Sequence, residues 1–120
     1  MAKGPMLEKS FAFAIDIVNL YKYLCREKSE FVMSKQLLRS GTAVGAMIRE
    51  AQNAESKADF IHKLAVAQKE CAESIYWLEL LFATSFIDEN QILKVSNDAN
   101  SILRLLRSAI ITTKQESNKF

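Results

Sequence analysis

The feature that most constrains this chain is how rarely its backbone is interrupted. The sequence contains one proline, Pro5, and three glycines, Gly4, Gly41 and Gly45. Because helices tolerate glycine and proline least, almost the whole chain after residue 7 is open to helix formation. Its apolar residues recur every three or four positions, without the strict alternation of a strand. The sequence therefore predicts an all-α fold.

Apolar spacing and capping residues divide the chain into four helices. Ser56, followed three residues later by Asp59, and Asp88 have the side chains expected at helix N-caps. The loops between these helices are only a few residues long, and such short loops force consecutive helices to run antiparallel. The 120 residues are 49% apolar, enough to fill one core. We expect a single up-down-up-down four-helix-bundle domain over 1–120, with helices at roughly 7–28, 30–54, 57–85 and 89–113.

One apolar stripe on each helix is expected to face the bundle axis. On the first helix this inner stripe is assigned to Phe11, Ile15, Val18 and Cys25. The corresponding residues of the other three helices are Leu37, Gly41, Val44, Ile48 and Ala51; Phe60, Ile61, Leu64, Cys71, Ile75, Leu78 and Phe82; and Ile92, Val95, Ala99, Ile102, Leu106 and Ala109.

Two helices carry more apolar residues than one bundle core can bury. The first helix has a second stripe roughly opposite the assigned one, and the third has large side chains off its inner stripe. These residues, predicted to form a self-association interface, are Phe13, Ile17, Leu20, Leu24, Tyr76, Trp77 and Leu80. The alternative is that the first helix is the most buried helix, and that Tyr76 and Trp77 cover the bundle rim.

Charge is nearly balanced, with 16 Lys and Arg against 14 Asp and Glu, which argues against a dedicated polyanion binder. Contact with RNA or DNA would need local clusters, and the candidates are Lys22, Arg26, Arg104 and Arg107. They lie near the ends of the first and fourth helices. The alternative is that these cations form a solvated face and complement the helix dipole.

Arg39 is expected to form a structural ion pair with Glu70 or Glu73.

No pattern indicates a catalytic, cofactor or metal site. Asp59 and His62 stand three apart, but a dinuclear metal bundle needs two such elements and the chain has one histidine. Glu70 and Glu73 have no partner set for acid–base chemistry, and Gly41 and Gly45 lack the Lys-Ser/Thr of a P-loop. The sequence thus predicts a protein that is not an enzyme and has no cofactor.

The location of the protein is expected to be cytoplasmic. Both cysteines, Cys25 and Cys71, lie inside helical apolar patterns, and no secretory signal pattern precedes them. No apolar run approaches the roughly 18 residues that a membrane-spanning helix needs, so no membrane association is expected.

Two blocks of sequence carry a family resemblance. The first is QLLRSGTAVGAMIREA at 36–51, and the second comprises Ser56, Asp59-Phe60, Lys63-Leu64, Ala67, Lys69-Glu70, Glu73 and Tyr76-Trp77-Leu78. Together they resemble the four-helix-bundle family encoded within intervening sequences of bacterial 23S ribosomal RNA. That family is similar to the accessory proteins of diversity-generating retroelements.

The resemblance implies four-helix protomers that assemble into a homopentameric barrel, with nucleic-acid binding by the basic accessory proteins. This chain departs from those proteins in being nearly neutral, and it has Met47 where an Asn is often expected. Two functions remain open. One is a homo-oligomeric assembly module associated with nucleic acid, and the other is a self-assembling scaffold that recruits a protein partner and binds no nucleic acid.

Overall fold

The four helices form an antiparallel bundle about 50 Å long and 20 × 19 Å across. The computed structural model describes residues 4–116. The helices are α1 (Pro5–Lys28), α2 (Met33–Ala51), α3 (Lys57–Ala83) and α4 (Glu89–Gln115). Each helix packs on the helices before and after it, and α1 also packs on α4; α2 and α3 share the most extensive contact. The all-helical, four-helix fold predicted from the sequence is confirmed.

Local capping chemistry determines where α3 and α4 begin. The Asp59 backbone N–H donates to the Ser56 hydroxyl at 3.0 Å, as the sequence predicts. Asp88 and Gln91 form a capping box, in which each side chain accepts from the other residue's backbone N–H at 2.8 Å. Both N-caps satisfy N–H groups that a helix start otherwise leaves unpaired.

The start of α2 differs from the sequence-based boundary, because Glu30 caps this helix and does not belong to it. Its buried carboxylate accepts backbone N–H groups from Val32, Met33 and Ser34 at 3.2, 3.0 and 2.7 Å. Burial raises the pKa of Glu30, but the bonds from the three N–H groups outweigh burial and hold that pKa below its usual value. The helix consequently starts at Met33, three residues later than expected from the sequence.

The core contains the expected stripe of α2, with Leu37, Gly41, Val44, Ile48 and Ala51 all buried. In α4 the buried residues include Val95, Ala99, Ile102 and Leu106, again as expected. Phe82 is an exception, because it is 43% exposed at the end of α3, and Leu81 is buried in its place. The expectation that Phe82 faces the core is wrong.

The assignment of the two stripes on α1 is also wrong. Phe13, Ile17, Leu20 and Leu24, which the sequence suggested as an interface, are buried inside the protomer core. Phe11 and Ile15, which were expected inside, are 55% and 48% exposed. The reason lies in α2, because a Cβ on Gly41 would stand 2.8 Å from Cγ1 and Cγ2 of Ile17. The missing side chain at Gly41 makes room for Ile17, and this contact turns α1 so that its other stripe faces outward.

Candidate self-association surface

The outward stripe of α1 and the neighbouring side of α2 form one apolar surface. Phe11, Ile15 and Val18 follow helical spacing on α1, and Val18 is partly exposed. A recess of about 320 Å³ separates this stripe from α2. The residues that line the recess are Leu7, Ser10, Phe11, Ala14, Thr42, Gly45, Ala46 and Arg49. We call this surface the α1–α2 face.

Arg49 gives the α1–α2 face a positive edge. Its guanidinium carbon lies 5.3 Å from the centroid of the Phe11 ring, within the range of a cation–π contact. Arg49 is exposed and forms no ion pair with any residue from 4 to 116. The stacked pair therefore offers both apolar area and an unpaired charge, a combination that is common at protein interfaces.

On α3, the three residues proposed for the interface have different surroundings. Tyr76 is 55% exposed, and its ring meets the edge of Trp77 at a centroid distance of 5.1 Å. Trp77 is partly buried against the core, and its Nε1–H donates to Glu73 Oε2 at 2.9 Å. Leu80 is half-buried. Tyr76 is thus the most accessible of the three, while Trp77 covers the rim of its own bundle.

Arg39 joins α2 to α3 through both of the carboxylates that the sequence offered as alternatives. Its two terminal nitrogens donate to Glu70 Oε1 at 3.1 Å and Glu73 Oε2 at 2.5 Å. The Trp77 hydrogen bond, and then the one from Arg39, lower the pKa of Glu73 below its usual value. The Arg39 side chain is 49% exposed, so water screens this network.

A buried contact that sequence reasoning missed lies beside this network. The hydroxyl groups of Ser40 and Ser74 are 2.8 Å apart in the α2–α3 interface. Ser74 also donates to the backbone oxygen of Glu70 at 2.9 Å. Small hydroxyl residues let the two helices come close while each polar atom keeps a partner. The sequence signal for this contact is Ser40, a small polar residue that stands beside the buried stripe of α2.

The four basic residues proposed for nucleic-acid contact do not form one surface on the protomer. All four are exposed, and none forms an ion pair within residues 4–116. Lys94 contacts Asp16 at 2.6 Å, so the antiparallel register places Arg104 beside the first turn of α1. At 1.5 Å per residue, Lys22 then lies roughly 24 Å from Arg104 along the bundle axis. The two basic pairs therefore lie at opposite ends of the protomer, because the C-terminal ends of α1 and α4 point in opposite directions.

Arg104 and Arg107 have polar neighbours on their own helix. Together with Asn97, Asn100 and Leu103 they line a shallow recess of about 510 Å³ on α4. No carboxylate lines this recess. It is therefore a small basic surface with amide groups that can donate hydrogen bonds.

The described residues show no arrangement suited to metal or thiol chemistry. Between residues 4 and 116, no three His, Cys, Asp or Glu side chains come together as a metal site. Both cysteines are free thiols. Burial raises the pKa of Cys71 to about 12, and its Sγ–H donates to the Ala99 carbonyl, so this thiol is not a reactive nucleophile. Among the helices described, none has an apolar stretch long enough to cross a membrane.

The structure is that of a small four-helix bundle with an exposed apolar face on α1 and α2 and a basic recess on α4. The profile of the 23S rRNA-intervening sequence protein family matches residues 4–108. The chain belongs to this family.

A solved structure agrees with this placement. The chain is similar to a crystal structure from the S23 ribosomal protein family of Bacteroides thetaiotaomicron VPI-5482, described as a protein with unknown function. The two are 55% identical, with a TM-score of 0.87, over 88% of this chain and 98% of the other. A comparison with curated proteins finds no match.

Proposed function

We propose that this protein is a non-enzymatic, homo-oligomeric assembly module of the bacterial cytoplasm, which uses the α1–α2 face to bind further copies of itself. The observation that carries the proposal is the exposure of Phe11 and Ile15 beside an apolar recess in the protomer. A contiguous apolar surface of this kind costs free energy in water and is favoured at interfaces. A homopentamer is the proposed assembly, in line with what the family resemblance implies.

The test is the mass of the intact protein in solution. Parent protein at micromolar concentration should have a multiple of the 13.6 kDa chain mass by light scattering on a sizing column. Ile15→Asp should reduce the mass to that of a monomer, because it places a charge in the apolar surface. Ile111→Asp is the matched control, since Ile111 is 49% exposed against 48% for Ile15 but lies near the end of α4. A monomeric parent protein would reject the proposal.

A second candidate function is association with nucleic acid, favoured by the basic recess at Arg104 and Arg107. One protomer contributes too few cations for strong binding, but repetition around an oligomer multiplies the phosphate contacts. The chain shows no recognition helix or RNA-stacking motif, so this binding would be independent of sequence. The alternative is a scaffold that recruits a protein partner and binds no nucleic acid.

Salt dependence separates these two functions. Single-stranded RNA should bind the parent protein with an affinity that falls steeply as salt rises, because each phosphate contact releases counterions. Arg104→Glu with Arg107→Glu should abolish binding while the assembly mass stays unchanged. Lys28→Glu with Lys69→Glu is the control of equal charge change, since both lysines are exposed and line neither the basic recess nor the α1–α2 recess. Absence of RNA binding by an assembled parent protein would favour the protein scaffold.

A further inference from the structure

A groove runs along the seam between α1 and α4, the neighbouring helices that share the least extensive contact. Its middle part is a recess of about 280 Å³, and its end part, at the α3–α4 loop, is a recess of about 410 Å³. Tyr23 and Gln91 line both recesses, so the two are continuous. We call them together the α1–α4 groove. It lies on the other side of α1 from the recess of the α1–α2 face.

The middle of the groove has unused hydrogen-bonding groups on both walls. The side chains of Asn19 and Tyr23 on α1 and of Asn90 on α4 form no hydrogen bond with any other part of the described chain. Lys94 contacts Asp16, and this antiparallel register sets Asn90 nearly level with Asn19. Amides therefore line both walls of the groove at one height, and each amide carries donors as well as an acceptor.

The end of the groove presents aromatic surface to solvent. Phe82 is 43% exposed, and Phe86 is partly buried beside the almost fully buried Ile87. The other residues that line this end are Tyr23, Lys28, Ser85, Asp88 and Gln91. Exposure of the Phe82 ring costs free energy in water, and an apolar group that covered the ring would recover it. The end recess therefore fits one large apolar side chain, such as that of Leu or Phe.

Charge does not favour a nucleic acid in this groove. Lys94 pairs with Asp16 and Asp98 at 2.6 and 3.4 Å. Lys28 is then the only lining cation that has no ion pair to the described part of the chain. The exposed charged residues that flank the groove are Lys22, Arg26, Glu27 and Glu89. These flanking charges cancel, whereas nucleic-acid binding depends on clustered cations that neutralise phosphates.

The length of the groove suits an extended chain. From Asp16 to Lys28, α1 rises about 18 Å at 1.5 Å per residue. An extended peptide covers this distance with about five or six residues. Its backbone N–H and C=O groups point to both sides of the chain, where side-chain amides can accept and donate hydrogen bonds.

We infer that the α1–α4 groove binds an extended, largely uncharged segment of another protein. Asn19 and Asn90 hydrogen-bond the backbone of this segment, and the recess beside Phe82 receives its large apolar side chain. Backbone hydrogen bonds combined with a side-chain pocket are a recurring mode of recognition for extended peptides. The inference goes beyond the proposed self-association, because the whole groove lies within one protomer.

A library of random peptides tests this inference. A phage-displayed library of linear peptides is selected on the intact parent protein, and the enriched peptides are synthesised with a fluorescent label for anisotropy titrations. We expect these peptides to have low net charge and to share one large apolar residue. Replacement of that residue by alanine should abolish binding, because the end recess then stays empty.

A matched pair of protein variants locates the bound peptide. Asn19→Ala with Asn90→Ala should weaken binding at least about tenfold, the loss expected for two hydrogen bonds. Asn97→Ala with Asn100→Ala is the control, because these exposed asparagines line the basic recess and not the groove. The control variant should bind the peptides as the parent protein does. Circular dichroism checks that the bundle is intact in both variants.

The possible outcomes separate this inference from the proposed function. Ile15→Asp should bind the peptides with the parent affinity even as a monomer, so the groove and self-association can fail independently. Loss of peptide binding in Ile15→Asp would contradict a groove contained in one protomer. The inference is also overturned if no peptide binds the parent protein, or if the enriched peptides bind Asn19→Ala with Asn90→Ala as tightly as the parent. Displacement of the peptides by single-stranded RNA would overturn it as well, since they would then occupy a basic surface.

Discussion

Gly41 offers a quantitative test of how α1 and α2 pack. A Cβ at this position would lie 2.8 Å from both Cγ atoms of Ile17, closer than carbon atoms approach in real proteins. Ile17 is completely buried, so its side chain has no open space to move into. Gly41→Ala must therefore push the two helices apart or force Ile17 away from its preferred rotamer.

The expected magnitude combines two opposing terms. Overpacking of a buried site costs about 1–3 kcal/mol, whereas replacing a mid-helix glycine by alanine gains about 1 kcal/mol in helix propensity. Gly41→Ala should therefore lower the free energy of unfolding by about 1 kcal/mol. Gly45→Ala is the control, since its Cβ would meet the Oγ, O and C atoms of Ser10 at 3.4, 3.5 and 3.6 Å, which are ordinary contacts. It should raise the free energy of unfolding by about 0.5–1 kcal/mol.

Urea unfolding followed by circular dichroism measures both changes. Protein concentration is held constant and the assembly mass is checked, because association adds to apparent stability. In an Ile17→Ala background the clashing Cγ atoms are absent, so Gly41→Ala should become stabilising there. If Gly41→Ala stabilises the native background as much as Gly45→Ala does, the proposed packing reason for the orientation of α1 is refuted.

Three further changes follow from the contacts described above. Arg39→Ala should cost less than about 1 kcal/mol in thermal or urea unfolding, because the guanidinium is half exposed and its pairs with Glu70 and Glu73 are screened; a loss of 3 kcal/mol would contradict this. Glu30→Gln should cost about 1–2 kcal/mol at pH 7 by weakening the α2 cap. Folding lowers the pKa of Glu30, so the stability that its carboxylate contributes is complete above the unfolded-state pKa of about 4.3. This stability is lost as the pH falls through the lower folded-state pKa. A stability difference between the parent protein and Glu30→Gln that persists unchanged at pH 2 would disprove the charge-based explanation. Ser29→Gly should stabilise the folded protein by about 1 kcal/mol, because Ser29 ends α1 with a φ of 51°, which glycine adopts more easily. A lower unfolding temperature for Ser29→Gly would argue against this explanation of the C-cap.

The elements that sequence reasoning predicted correctly are those in which local chemistry decides the structure. Ser56 and Asp88 are N-caps because their side-chain oxygens satisfy N–H groups three residues on, a relation visible in the sequence. The apolar stripe of α2 is the only such stripe on that helix, so its burial follows from spacing alone. The Glu30 cap escaped prediction because Glu is a common helix-interior residue.

The orientation of α1 depends on contacts between helices, which spacing cannot supply. Both of its stripes have enough apolar area to face a core, and the packing of Ile17 on Gly41 selects between them. One sequence signal favours the correct choice: Lys22 continues the spacing of Phe11, Ile15 and Val18, and a lysine is rarely buried. The separation of Lys22 and Arg26 from Arg104 and Arg107 follows from the antiparallel topology itself, since the C-terminal ends of α1 and α4 lie at opposite ends of the bundle.

The central claim is that this chain assembles with itself through the face that contains Ile15. The most direct measurement is light scattering of the parent protein and Ile15→Asp, side by side, at micromolar concentration. We predict that the parent protein has about five times the 13.6 kDa chain mass, and that Ile15→Asp has the mass of a single folded chain. Equal masses for the two proteins, whether both are monomers or both are oligomers, would contradict the claim.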